Sequence, residues 1–207
     1  MKMKFYQSIK FRLMMMTLCV CVFMGGLINF YSIHQSRLSY KRLACNYMDD
    51  IALAYGRQVE NLLDQGGSLD SGVLEHILMN ANLEGVESSY TYIVDSDGNM
   101  LYHPNKDKIG KSVENVIVKS YIQDLKSGIK HDTYVVEYDY NGSIKYAACY
   151  TDENGRFILV VSADDDDVLR DSASLIVKVT AISLLIGIAA IVVVFIFIRK
   201  IVAPLSY

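Results

Sequence analysis

Two charge-free apolar runs constrain this chain more than anything else in it. Residues 13–33 and 179–198 hold no Asp, Glu, Lys or Arg over 21 and 20 positions. At about 1.5 Å per residue a helix of either length crosses roughly 30 Å of hydrocarbon, and a helix satisfies its own backbone hydrogen bonds there. The 52% hydrophobic composition and the mean hydropathy of +0.21 agree. The expected organisation is a cytoplasmic N-terminus (1–12), a first membrane helix (13–33), an outer domain (34–174), a second membrane helix (175–198) and a cytoplasmic end (199–207).

Charge sets that orientation. Lys2, Lys4, Lys10 and Arg12 precede the first run and Arg199 and Lys200 follow the second, with no acidic residue in either flank. Positive-inside bias then puts both ends in the cytoplasm and the middle outside, in a cell membrane whose lipid is the partner of both helices. All 23 acidic residues lie in the outer part, which argues against nucleic acid as a partner. A cleaved signal peptide is the rival reading of the first run, but no small-x-small cleavage site follows Met24-Gly25-Gly26-Leu27. Cys19 and Cys21 then sit in lipid. Cys45 in a helical pattern and Cys149 in a strand pattern read as free buried thiols rather than a disulfide.

Between the runs the periodicity changes twice. Tyr40, Leu43, Tyr47, Ile51, Ala54, Gln58 and Leu62 step by three and four, widened by Tyr55 and Val59, so an amphipathic helix continues from the first membrane run to Gly66-Gly67. A shorter helix is expected from a cap at Asp70 or Ser71 through Leu74, Ile77 and Leu78 towards Asn82 and Gly85. Residues 90–104 then read as a hairpin turning on Asp95-Ser96-Asp97-Gly98-Asn99. Three more strands are expected at 132–140, 144–151 and 156–163, with turns at Asn141-Gly142 and Glu153-Asn154-Gly155. A helical crossover carrying Val116, Ile117, Tyr121 and Leu125 lies between the second and third strands. The last strand is apolar on both sides, so it should be central, with the long helix over one face and the crossover over the other. A crossover above an antiparallel sheet roofs a small-ligand cavity.

Several chemistries are excluded. Asp95-x-Asp97-x-Asn99 begins like a calcium loop, but Met100 stands where that loop needs Gly and Lys106 where it needs Glu, so it reads as a turn. Residues 164–167, four aspartates, read as a solvated junction favouring the start of the second membrane helix. His34, His76, His103 and His131 show no metal-ligand spacing. With no nucleophile and base pair, phosphate loop or nucleotide fingerprint, the chain reads as a non-enzyme without cofactor or metal.

The run Tyr92-Ile-Val-Asp-Ser-Asp-Gly-Asn-Met-Leu-Tyr-His-Pro-Asn105 carries a family resemblance. So do Lys108-Ile-Gly-Lys-Ser-Val-Glu-Asn115, Val136-Glu-Tyr138, Lys145-Tyr-Ala147 and Leu159-Val-Val-Ser-Ala-Asp164. Together they resemble the single Cache domain of bacterial methyl-accepting chemotaxis proteins over residues 35–171, and Arg199-Lys-Ile-Val-Ala-Pro-Leu205 resembles the opening of a HAMP linker. The resemblance ends at Tyr207 and so covers the sensory half of such a receptor. It implies an α+β, PAS-like fold, a homodimer, and an extracellular sensor for a small molecule of the carboxylate or amino-acid class, acting in chemotaxis and signal transduction. A tyrosine offers an apolar ring and one directed hydroxyl, and the chain has 15 with no Trp. The candidate ligand-binding residues are Tyr92, His103, Tyr121, Tyr134, Tyr138 and Tyr146, with Lys119 as a carboxylate partner. Sheet packing by the same tyrosines is the competing reading. The sensor front end of a histidine kinase or diguanylate cyclase, or a stand-alone anchored binding protein, remains the alternative function.

Overall fold

Small residues decide how the first helix meets the rest of the protein. The computed structural model describes residues 9–129 and 134–197, and α1 spans Ile9–Asp64. Over its second half the buried or half-buried side is Ala44, Cys45, Met48, Ile51, Ala52, Tyr55, Gly56 and Val59. The expected stripe is therefore corrected. Leu43 (67% exposed), Tyr47 (48%), Ala54 and Gln58 are exposed. Gly56 shows why, since a Cβ built there would lie 2.2 Å from Tyr150 Cδ1. The helix comes close to the sheet where small residues such as Ala52 and Gly56 stand among Met48, Ile51 and Val59, which a count of large apolar side chains does not detect.

Within the Ser39–Arg170 unit the order is α2 (Ser71–Leu78), β1 (Tyr90–Asp95), β2 (Met100–Tyr102), α3 (Val116–Lys126), β3 (Tyr134–Tyr140), β4 (Ser143–Thr151), β5 (Phe157–Asp164) and α4 (Asp165–Val168). All strand pairs are antiparallel, in the order β2-β1-β5-β4-β3, so β5 is central as its two-sided apolar pattern requires. This is the expected α+β fold. The third expected strand begins at 132, and residues 130–133 lie outside the described residues, as do the basic flanks at 1–8 and 199–200 and the HAMP-like run.

The period of two along each strand sorts side chains to two cores. Ile93, Tyr146, Ala148, Tyr150, Phe157, Leu159, Val161 and Ala163 meet α1 and α2 on one face. Tyr92, Val94, Ala147, Cys149, Ile158 and Val160 meet Val118, Tyr121 and Ile122 of α3 on the other. Each fully buried large side chain here contributes roughly 1.5–3 kcal/mol by leaving water. Cys45 and Cys149 pack in the cores of opposite faces, and both are free thiols.

Local chemistry explains the connections. Asp95 Oδ1 accepts from the backbone N–H groups of Asp97 and Asn99, at 2.9 and 2.8 Å, so the acidic run after β1 is a self-bonded turn. α2 is shorter than expected: Asp70 makes no side-chain cap, and Ser68 Oγ donates to Asp70 Oδ2 instead. The aspartates at 164–167 are also corrected, because three of the four bond within the domain. Asp164 pairs with Lys145, Asp165 accepts from Tyr146, and Asp167 accepts from the Ser88 N–H.

The other unit holds the described residues up to Leu38 and from Asp171, including most of α5 (Arg170–Phe197). Both its apolar helices are long and apolar enough to cross a membrane.

Candidate functional site

Gly110 anchors the segment that closes the site. At φ +78° it adopts a backbone conformation that suits glycine. Its N–H donates to Met100 O at 2.8 Å, Met100 N–H returns to Lys111 O at 2.9 Å, and Val113 N–H reaches Gly98 O at 2.8 Å. The Lys108-Ile-Gly-Lys111 run is thereby laid along β2, bringing Lys108 and Lys111 beside the sheet. Asn115 ends the segment. Its Oδ1 caps α3 through the N–H groups of Ile117 and Val118, and its Nδ2 donates to the Tyr92 hydroxyl at 3.3 Å.

Between this segment and the α3-side face of the sheet lies a half-enclosed cavity of about 60 Å³. Tyr90, Tyr92 and His103 form an aromatic wall, with ring centroids 5.2 Å apart for Tyr90–His103 and 5.8 Å for Tyr92–His103. The opposite wall is Tyr138 and Tyr140 of β3 with Lys145 of β4, and Glu114 and Lys111 line the mouth. The Tyr138 hydroxyl lies 3.4 Å from Ser162 Oγ. Glu114 accepts from the Tyr140 hydroxyl at 3.0 Å and faces Lys108 at 3.7 Å.

Three ammonium groups, of Lys108, Lys111 and Lys145, line the cavity with one carboxylate, Glu114, and Lys145 is itself paired with Asp164. Burial, with Lys108 nearby, holds the His103 pKa below its ordinary value, so the ring is neutral at pH 7. His103 Nδ1 accepts from Asn105 N–H at 2.9 Å, which leaves Nε2 as the ring's donor. Burial pushes the Tyr138 phenol up to about 12 and holds the Tyr92 phenol well above its ordinary value, so both hydroxyls stay protonated. The lining offers O–H, N–H and ammonium donors around an apolar floor.

Of the residues singled out from sequence, the structure brings Tyr92, His103 and Tyr138 together here. Lys119 is exposed on α3 and does not line the cavity. Tyr121 packs into the α3-side core instead. Tyr146 needs correction: it lies on the opposite face, buried against α1, where its hydroxyl donates to Asp165. Tyr134 pairs with Cys149 in the ladder, and its side chain lies outside the described residues. Sequence reasoning missed Tyr90, Lys108, Lys111, Glu114, Tyr140 and Lys145. Two signals pointed to some of them: Lys145 alternates with Ala147 and Cys149, and Tyr140 with Tyr138, at the spacing that shares a sheet face.

No family model and no curated protein matches this chain. Similar solved structures include the ligand-binding domain of the Pseudomonas fluorescens chemoreceptor CtaA in complex with L-alanine. It is 22% identical with a TM-score of 0.30, over 48% of this chain and 39% of that one. The ligand-binding domain of the Pseudomonas aeruginosa PAO1 amino-acid chemoreceptor PctC in complex with GABA is 18% identical with a TM-score of 0.32, over 45% and 38%. The E. coli DcuS sensor domain is 14% identical with a TM-score of 0.35, over 63% and 90%. This chain thus spans about two fifths of the first two structures.

Proposed function

We propose that the Ser39–Arg170 unit is the extracellular sensor domain of a two-pass membrane receptor, and that it binds a small carboxylate or amino acid to signal across the membrane in chemotaxis. The observation that carries the reading is the cavity itself: tyrosine hydroxyls, a neutral imidazole and three ammonium groups line it with the Glu114 carboxylate, and Asp164 pairs with one of those ammonium groups, Lys145. A water needs roughly 10–15 Å³ of such space, so about 60 Å³ holds about four to six water-sized groups, the scale of acetate, lactate, glycine or alanine. Two helices able to cross a membrane flank the domain.

The test uses the full chain in detergent micelles with acetate, propionate, L-lactate, glycine and L-alanine. A binder at a hundred times its Kd adds about 2.7 kcal/mol of stability and raises Tm. Tyr138→Phe should weaken that binder by about 0.5–1.5 kcal/mol through the lost hydroxyl, while Lys119→Ala leaves it unchanged. Loss of binding in Lys119→Ala with Tyr138→Phe unaffected would move the site to the outer side of α3.

A further inference from the structure

Two neighbouring residues of β4 face opposite sides of the sheet and reach the same short stretch of chain. Lys145 lines the cavity, and its Nζ pairs with Asp164 Oδ1 at 2.5 Å. Tyr146 lies in the helix-side core, and its hydroxyl donates to Asp165 Oδ1. Asp164 is the last residue of β5 and Asp165 the first of α4, so two side-chain bonds grip the strand end, one from each face. Ser88 adds a third hold. Its Oγ accepts from Asp164 N–H at 3.1 Å and its own N–H donates to Asp167 Oδ2 at 2.7 Å. Chain connectivity then carries this junction into α5.

Lys145 belongs to both systems. Its side chain is 15% exposed, against 36% for Asp164, so the ammonium is the more enclosed partner and sits at the cavity wall, 5.6 Å from the Tyr140 ring centroid. A carboxylate entering the cavity presents the same chemical group as Asp164 and competes for the same donor. The Tyr146–Asp165 bond lies on the other face of the sheet, beyond that competition.

We propose that Lys145 is a ligand-exchangeable latch. In the empty domain it holds Asp164 at the β5–α4 junction, and a small carboxylate in the cavity draws the ammonium away and releases that hold. The latch rests on the reading of the cavity as a small-carboxylate site and supplies the step from occupancy to the chain segment that leads into α5. Coupling is reciprocal: if the ligand weakens the Lys145–Asp164 pair, that pair weakens the ligand, and removing the Asp164 charge strengthens binding.

The experiment measures acetate and glycine affinity by calorimetry, and hydrogen exchange over residues 160–168, on the full chain in detergent micelles. Saturating acetate should speed exchange over 160–168 in the parent. Asp164→Asn should show that faster exchange without ligand, and should bind acetate about tenfold more tightly if the pair occupies Lys145 nine-tenths of the time. Lys145→Gln breaks the same pair from the other side, so it should also speed exchange while losing at least about tenfold in acetate affinity; it keeps the test decisive if Asp164→Asn does not fold. If acetate binds the parent but Asp164→Asn binds it no more tightly, or if acetate leaves exchange over 160–168 unchanged or slower, the latch is overturned and the sensor reading stands. Parent-like exchange in Lys145→Gln overturns it equally. If neither probe binds the parent or Asp164→Asn, the small-carboxylate reading falls and takes the latch with it.

Discussion

Gly56 shows how one residue governs the distance between a helix and a sheet. Its missing side chain is the space that the Tyr150 ring occupies, with Cδ1 at 2.2 Å and Cγ at 2.4 Å from a built Cβ. The ring cannot readily swing aside, because its hydroxyl donates to the buried Glu60 Oε2 and Glu60 Oε1 accepts from Glu153 N–H at 2.9 Å. Alanine is the better helix former by about 1 kcal/mol, yet overpacking at a fixed contact costs about 1–3 kcal/mol. Gly56→Ala should therefore lower stability, read as a reduced denaturation midpoint of the full chain in detergent. Unchanged or increased stability would show that α1 can move away from Tyr150 at little cost. At the same scale, Tyr138 and Tyr146 look alike in sequence but differ in surroundings: one hydroxyl meets a serine at the cavity, the other a carboxylate beneath α1.

At the scale of the element, α1 has two apolar sides and its own sheet covers only one. Leu43 and Tyr47 stay exposed one turn apart, with Tyr40 half-buried beside them, while Met48 and Ala52 are fully buried. We infer that the exposed stripe pairs with its equivalent in a second copy, giving a homodimer through residues 35–63, since a stripe at three- and four-residue spacing suits a helix–helix seam. Single cysteines placed along α1 in a cysteine-free background should cross-link in membranes most at 43 and 47, and least at 48 and 52. A flat profile would overturn the dimer.

At the scale of the whole molecule, the distribution of charge makes the prediction. Six basic and no acidic residues lie on the terminal sides of the two apolar runs, so both ends should be cytoplasmic and the cavity should open to the outside. In the same cysteine-free background, a membrane-impermeant thiol reagent applied to intact cells should label a cysteine at exposed Glu84 and miss one at Ser8. The reverse pattern would put the cavity in the cytoplasm and end the extracellular reading. Ser88 is unsuited to the probe because it is tied into the β5–α4 junction.

What the sequence by itself determined is the set of elements and, along the strands, which residues share a face. Uncharged length marked the two runs long and apolar enough to cross a membrane, a period of two marked the strands, Asn-Gly and Asp-Gly chemistry marked the turns, and the two-sided apolar pattern of residues 157–161 put the last strand in the centre. Periodicity reports which residues share a face, but not which face meets which neighbour, and that the tertiary structure decided. The α1 stripe lies to one side of the expected one because close approach to the sheet puts Ala44, Ala52 and Gly56 at the contact beside Met48, Ile51 and Val59, while the larger Leu43 and Tyr47 face outward. Tyr146 was placed in the site because nothing local in β4 says whether odd or even positions look towards α3. The cavity itself draws on four separate stretches, around residues 90–103, 108–115, 138–140 and 145. It joins them through strand register and through the Gly110 backbone bonds to Met100, which exist only once the chain has folded. Lys145 therefore looked like an ordinary strand lysine until the fold set it between a cavity and Asp164.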